Sequence, residues 1–387
     1  MNCIRFCFTL LVFVAFSCSE KENGVDDGRD AENYSGVTFE SEKLIYGVDT
    51  IANDLKNPWG IAFLPDGRML VTERAGEILI FQDDKQVGEK IEIPGVFAKG
   101  QGGLMDIKLH PDHKDNGWIY ISYAKEGEGG GGTVIARTKL EGNKITGLEE
   151  LFSAQPLSDA GVHFGSRIVF DGNGYMFFSS GERGTKENAQ TLGNHLGKIL
   201  RLHDDGKVPN DNPFVNTEGA KPEIWSYGHR NPQGLVYDAD TKTLWDVEHG
   251  PRGGDELNRV EKGKNYGWPE ITYGINYDGT PITDKTEQDG LEQPVTYWVP
   301  SIAPCGMMQV KGDKYAGWQE SLLVGALALQ HIARVEVADG EYVSQEKLLD
   351  KMARVRAVEE SPDGYIYVAT EGPGMLLKLI PVKAAGQ

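Results

Sequence analysis

A chain of 387 residues can hold one large or two ordinary domains, and 39% apolar residues is enough for a globular core. Acidic residues outnumber basic ones by 58 to 39, for a formal net charge of −19. A field of that sign repels phosphate backbones and anionic lipid, which argues against a nucleic-acid partner.

Residues 1–17 carry Arg5, the apolar run FCFTLLVFVAF and a small residue ahead of Cys18. This is the pattern of a secretion signal peptide, too short to span a bilayer. Ala15-Phe16-Ser17-Cys18 is similar to a bacterial lipobox without its usual leucine. Cleavage there would leave Cys18 as a lipidated first residue; a plain signal peptide cut nearby is the alternative. The expectation is an exported chain, periplasmic or on the outer membrane as a lipoprotein, that touches the membrane only through an anchor at Cys18. Cys3 and Cys7 fall in the discarded segment, so Cys305 alone remains in the folded part and no internal disulfide framework is available. Residues 18–41 are polar, rich in Asp, Glu and Gly and poor in aromatics, and read as a flexible tether; residues 42–383 read as the folded domain.

Within that domain one pattern recurs: an apolar strand, a turn rich in Asp and Gly, and a second apolar strand. It runs IAFLPDGRMLVTERAG from Ile61, IKLHPDHKDNGWIYISYA from Ile107 and IVFDGNGYMFFSSGERG from Ile168, then LVYDADTKTLWDVEHG from Leu235, MQVKGDKYAGWQESLLVGAL from Met308 and VEESPDGYIYVATEG from Val358. Each unit is followed by a third strand, such as EILIF, GKILRL or LLKLI. Blades of four strands take about 40 to 50 residues each, and the wider spacing of the middle units implies inserted loops there. Six such units predict an all-β, six-bladed β-propeller. LIYGVDTIA, from Leu44 to Ala52, is expected to supply the outer strand of the last blade and close the ring. His110 and His113 lie in a Pro-Asp turn and read as exposed.

The densest stretch of reactive groups runs from Tyr227 to Trp268 and contains YGHRNPQG, EHGPRGGDE and GKNYGWP. Arg230 offers a rigid fork of donors suited to planar carboxylates or quinone oxygens, and Asn231 and Gln233 add neutral donors and acceptors. Gly250 and Pro251 resist regular structure, so their carbonyls can face a cavity, with Asp255 and Glu256 just beyond; oxygen ligands of this kind suit calcium. An ordinary polar loop with Arg230 paired to Asp255 is the plainer alternative. Outside this stretch, His163 in GVHFGSR stands just before the third unit and is chemically suited to take a proton from a hydroxyl. Gln101 lies among glycines in GQGGLMDI, and Arg354 and Arg356 alternate on one strand so that both point the same way.

GHRNPQG, EHGPRGGDE and NYGWP, in that order, resemble the soluble sugar dehydrogenases that use pyrroloquinoline quinone (PQQ) and calcium, the glucose/sorbosone dehydrogenase family. The likeness is greatest to the aldose sugar dehydrogenase branch and extends from about Asn57 to Leu379. It implies the same propeller and assigns roles. His163 becomes the general base. Arg230 and Asn231 stabilise charge on the quinone oxygen, Gln101 contacts substrate or cofactor, Tyr277 in YGINYDG touches the quinone, and Arg354 and Arg356 clamp its carboxylates. The carbonyls of Gly250 and Pro251 match the ligands of the cofactor-bound calcium, and Glu256 with the carbonyl of Tyr266 matches a second, structural calcium site.

Two departures stand out. Some relatives place an acidic residue immediately before the histidine to orient it, where this chain has Val162, and the family's cofactor-reaching lysine is replaced by Ala328. The resulting expectation is oxidation of the anomeric hydroxyl of aldoses to lactones, with electrons passed to an external acceptor. A calcium-dependent propeller hydrolase such as a lactonase, or a non-catalytic sugar-binding propeller, are the competing readings.

Overall fold

The computed structural model describes residues 34–384. Six antiparallel sheets form a ring, one sheet for each recurring unit, as the pattern predicts. The innermost strands of blades 1 to 6 are Pro58–Phe63, Leu104–Leu109, Ile168–Phe170, Pro232–Asp238, Pro304–Gln309 and Arg354–Glu360. The aspartates of the turns explain why the pattern repeats. Asp66, Asp171 and Asp238 each accept the main-chain N–H two residues on, which closes the turn between the first two strands locally. The inner strands Pro58–Phe63 and Pro304–Gln309 are apolar almost throughout because each is covered by a blade on either side. The core is accordingly divided among the six seams between neighbouring blades: Leu70 and Ile121 meet between blades 1 and 2, for example, and Tyr46 and Leu323 between blades 5 and 6. Two glycines let inner strands approach each other. A Cβ on Gly234 would lie 2.4 Å from the Cys305 carbonyl oxygen, and one on Gly306 would lie 2.7 Å from Ala357 Cα.

Five of the six inner strands are bulged within their first few residues, between Pro58 and Ile61, Leu104 and Ile107, Pro232 and Gly234, Pro304 and Met307, and Val355 and Ala357. A bulge breaks strict alternation and re-aims the side chains it contains. Here those include Asp106, Gln233 and Arg356. The simple alternation expected to orient Arg354 and Arg356 alike is therefore interrupted between them.

Leu44–Ala52 pairs antiparallel with Leu376–Ala384 and closes blade 6, as expected. The domain starts earlier than residue 42, however. Thr38–Glu40 adds a further strand on Leu44–Ala52, and the Tyr34 hydroxyl donates to Asp49 at 3.0 Å. The free edge of the closing strand offers unpaired backbone groups that this short segment satisfies, so residues 34–41 are not part of a loose tether. The expected signal peptide and the lipidated Cys18 lie outside the described residues. No helix among the described residues is long and apolar enough to cross a membrane. His110 is buried rather than exposed: its Nε2 meets Asp204 at 2.9 Å, and its Nδ1 accepts the Asp112 N–H.

Aromatic packing reinforces the closure made by the paired strands. The Tyr46 ring packs edge-on against Trp318 with centroids 5.4 Å apart, and its hydroxyl accepts the Leu349 N–H at 3.1 Å. Tyr46→Ala should cost about 3–5 kcal/mol and Tyr46→Phe only about 1 kcal/mol, measured by chemical denaturation. Equal stability of all three proteins would show that this strand does not fasten the ring.

Candidate active site

The starts of the inner strands converge on one mouth of the ring, around a cavity of about 190 Å³ whose wall includes Trp59, Arg74, Gln101, Asn231, Arg354 and Arg356. A larger cavity of about 550 Å³ lies where the inner strands end, at the opposite mouth. Its two lysines are already neutralised: Lys108 by Glu359 at 2.6 Å, and Lys311 by Asp238, Asp240 and Glu320 at 2.8–3.1 Å. The smaller cavity is the one with chemistry around it.

His163 sits on the segment entering blade 3, with its backbone at φ +55°, a left-handed conformation costly for a residue with a side chain. Surrounding groups hold it there. Its N–H donates to the Gln101 side-chain oxygen at 2.8 Å, and Nδ1 lies 2.8 Å from a carboxylate oxygen of Glu182. Arg183 clamps the approach, donating to the carbonyls of Ala160 and Val162 at 2.5 Å while its guanidinium lies 3.4 Å from the centroid of the Phe164 ring. With a carboxylate as acceptor, Nδ1 carries the proton and the lone pair of the neutral ring is on Nε2, which has no protein partner among the described residues. Burial lowers the His163 pKa, Glu182 opposes that shift, and the Arg230 and Arg183 charges reinforce it. The ring is a neutral base ready to accept a proton. Glu182 thus supplies the orienting carboxylate that Val162 does not.

Arg230 is buried and its Nη1 donates to the carbonyls of His249 at 3.0 Å and Gly250 at 2.8 Å, beside the Trp268 ring. It makes no pair with Asp255, which instead accepts the N–H groups of Gly250, Ile302 and Ala303 and is pushed up to about 6 by burial. Both Arg230 and Asn231 are fixed through their main-chain N–H groups by one oxygen of Glu248, at 2.6 and 3.3 Å. Burial, with the Arg230 and Arg356 charges, holds His249 in the wall well below the usual histidine range, so it is neutral. Trp59 lies between two guanidiniums, 4.1 Å from that of Arg167 and 5.7 Å from that of Arg356.

The carbonyls of Gly250 and Pro251 each accept one protein donor, Arg230 and the Ser301 hydroxyl, which leaves each a lone pair. Two neutral oxygens fit calcium only together with oxygens from a ligand and water, since the ion takes six to eight. A more demanding set lies behind them. His229, Asp246 and Glu248 bring ligand atoms within 4.8 Å of one another, and both Asp246 oxygens are buried without a hydrogen-bond partner. Glu256 pairs with Glu248 across the strands, and Tyr266 stacks on His229 with ring centroids 4.6 Å apart. Burial raises Asp246 and Glu256 well above the ordinary carboxylate range. Carboxylates so placed are protonated or screened by a cation, and the donor set fits one.

Tyr277 is 74% exposed and is not among the residues of the cavity wall; its loop is tied by main-chain pairing of Ile275 with Arg252 and by Lys186 on Asn276. Ala328 immediately follows Leu327 in the wall and supplies no cation. Sequence reasoning missed Glu182, Glu248 and Glu371, although a signal was present. ERAG, ERG, EHG and TEG stand at the ends of the second strands of units 1, 4 and 6 and just past the end of that of unit 3, and the recurring glutamate is buried in every case.

The family model for glucose/sorbosone dehydrogenases matches residues 55–378. The chain is 43% identical over 344 residues to the aldose sugar dehydrogenase YliI of Escherichia coli, covering 86% of this chain and 92% of that one. Its fold matches the crystal structure of the soluble E. coli aldose sugar dehydrogenase in the apo-form, with a TM-score of 0.84, 42% identity and coverage of 87% of this chain and 99% of that one. The PQQ-bound aldose sugar dehydrogenase of Streptomyces coelicolor matches with a TM-score of 0.70 and 28% identity, over 87% of this chain and 98% of that one. With the family model matched over most of its length and the same ring fold, the chain belongs to the glucose/sorbosone dehydrogenase family.

Proposed function

We propose that this chain is a calcium-dependent quinoprotein that oxidises the anomeric hydroxyl of aldoses to the lactone, with PQQ in the central cavity. One observation carries the reading: His163, its lone pair on Nε2 and its other nitrogen held by Glu182, stands beside a cavity walled by arginines. The E. coli relative named for aldose sugars and the Streptomyces structure named for bound PQQ support it.

When bound, the quinone would accept the hydride leaving the anomeric carbon, and calcium would polarise the receiving carbonyl. The remaining work belongs to the protein. Nε2 of His163 takes the hydroxyl proton, and Glu182 steadies the imidazolium that results. Arg230 and Asn231 meet the negative charge that develops on the oxygen. Gln101 fixes the histidine segment, while Arg354 and Arg356 place cations against the cofactor's carboxylates. The carbonyls of Gly250 and Pro251 would hold the catalytic ion. Glu256 and the Tyr266 carbonyl, with Asp246 and Glu248 behind them, would hold a structural one. Electrons leave to an external acceptor, and the enzyme works outside the cytoplasm on a lipid anchor at Cys18.

Purified apoprotein given PQQ and calcium should reduce a dye in an aldose-dependent way, and neither addition alone should suffice. A hydrolase would instead open lactones with calcium alone, and a sugar-binding protein would reduce no dye; either result would replace the proposal. His163→Ala should lower kcat on the order of 10²–10⁴-fold while leaving quinone absorbance intact.

Glu182→Gln tests the orientation of the base. Glu182 raises the His163 pKa against burial, so its loss lowers that pKa further and keeps the ring neutral to lower pH. The acidic limb of the kcat/KM profile should therefore move to lower pH while kcat falls by on the order of 10²-fold or more. An acidic limb unmoved by the change would detach Glu182 from the base.

A further inference from the structure

The cations of the central cavity differ in how far they are already committed. Arg356 donates to Glu371 at 2.8 Å and to the Gln233 side-chain oxygen at 2.9 Å. Arg354 gives Nη1 to the Leu327 carbonyl at 3.1 Å, with Nη2 3.8 Å from Glu371. Arg230 is held by two carbonyls, and Arg167 by Asp106 at 2.9 Å and the Gln233 carbonyl at 3.0 Å. Arg74 lines the same cavity, yet its guanidinium has neither a hydrogen bond nor an ion pair among the described residues. The neighbouring Glu73 does not neutralise it, since that carboxylate is taken by the Lys56 N–H and by Lys90 at 2.8 Å.

The backbone of Arg74 is nevertheless firmly placed. Its N–H donates to the Asn57 carbonyl at 3.1 Å and its carbonyl accepts the Leu104 N–H at 3.0 Å. Gly103, at φ +149°, makes room for the stem: a Cβ there would lie 2.4 Å from Arg74 Cγ and 2.0 Å from its carbonyl oxygen. A fixed base carrying an uncommitted fork of donors suits one ligand chemistry in particular, a planar carboxylate taken in two parallel hydrogen bonds. Arg74, Arg354 and Arg356 face one carboxylate in the wall, Glu371, so the cavity keeps a positive excess for an anion to neutralise.

We infer that Arg74 is a third ligand-binding arginine of this cavity, its free fork taking a carboxylate of the bound cofactor beside Arg354, while Arg356, fixed by Glu371 and Gln233, sets its charge against the cofactor from the wall. This division of labour rests on the proposed function, which supplies a tricarboxylate as the ligand. It also places a cation in a cavity to which Ala328 brings none.

The test is a titration of PQQ into apoprotein in the presence of calcium, read by absorbance and by tryptophan fluorescence. The variants are Arg74→Met, Arg74→Lys and, as a charge control far from the cavity, Arg68→Met. Arg74→Met should weaken Kd on the order of 10–100-fold with an unchanged melting temperature, because its side chain makes no internal bond. Arg74→Lys should recover part of that loss, restoring the charge without the fork, and Arg68→Met should match the wild type. An Arg74→Met affinity within about twofold of wild type overturns the assignment. If the wild type takes up no quinone, the functional reading falls, and the same variants titrated with citrate decide Arg74 alone. Loss of citrate binding in Arg74→Met sustains its role as a carboxylate site, whereas equal binding, or none by the wild type, removes it.

Discussion

A relay of buried hydrogen bonds crosses the axis of this ring and everything at the mouth is arranged around it. Asp106 of blade 2 holds Arg167 of blade 3, Arg167 holds the Gln233 carbonyl of blade 4, and the Gln233 amide oxygen accepts Arg356 of blade 6, which ends on Glu371. Trp59 of blade 1 lies between the two arginines. Charges this deep are tolerated only when paired, because the desolvation of each ion costs several kcal/mol. Once paired they lock four blades into one register. The cavity above therefore has a rigid polar floor, and its remaining donors can be left for a ligand.

The second strands add a further layer of control. The buried glutamate at or just past their ends in units 1, 3, 4 and 6 serves four different tasks. Glu73 receives Lys90, Glu182 orients His163, Glu248 fixes the N–H groups of Arg230 and Asn231, and Glu371 neutralises Arg356. Ring symmetry brings each of them to the same mouth. The costly left-handed backbone at His163 is sustained by this arrangement, with Gln101, Glu182 and Arg183 each spending a bond on that segment.

The recurring strand-turn-strand units made the propeller readable, because an Asp-closed turn between two apolar runs is a local property written into each unit. The closing strand was readable for the same reason: LIYGVDTIA has an apolar pattern, precedes the first unit and belongs to none of the six. Thr38–Glu40 was not, since its short polar segment becomes a strand only when an edge is presented to it. The resemblance to sugar dehydrogenases located Gln101, Asn231, Arg354 and Arg356, all of which the fold brings into one wall. Tyr277 stands exposed outside that wall, at a position set by how the inserted loop rests against Arg252 and Lys186.

What the amino-acid order determined by itself was therefore the number of blades, the order of the inner strands and the chemical types gathered at their starts. Pattern and turn chemistry are short-range and survive without knowledge of the fold. Which carboxylate serves which cation was decided only in three dimensions. The partners of His163, Arg230 and Arg356 lie 15 to 123 residues away, and several of them meet through bulges that alternation cannot foresee. The same holds for Arg74, whose freedom from partners becomes visible only when every other charge around the cavity has been assigned.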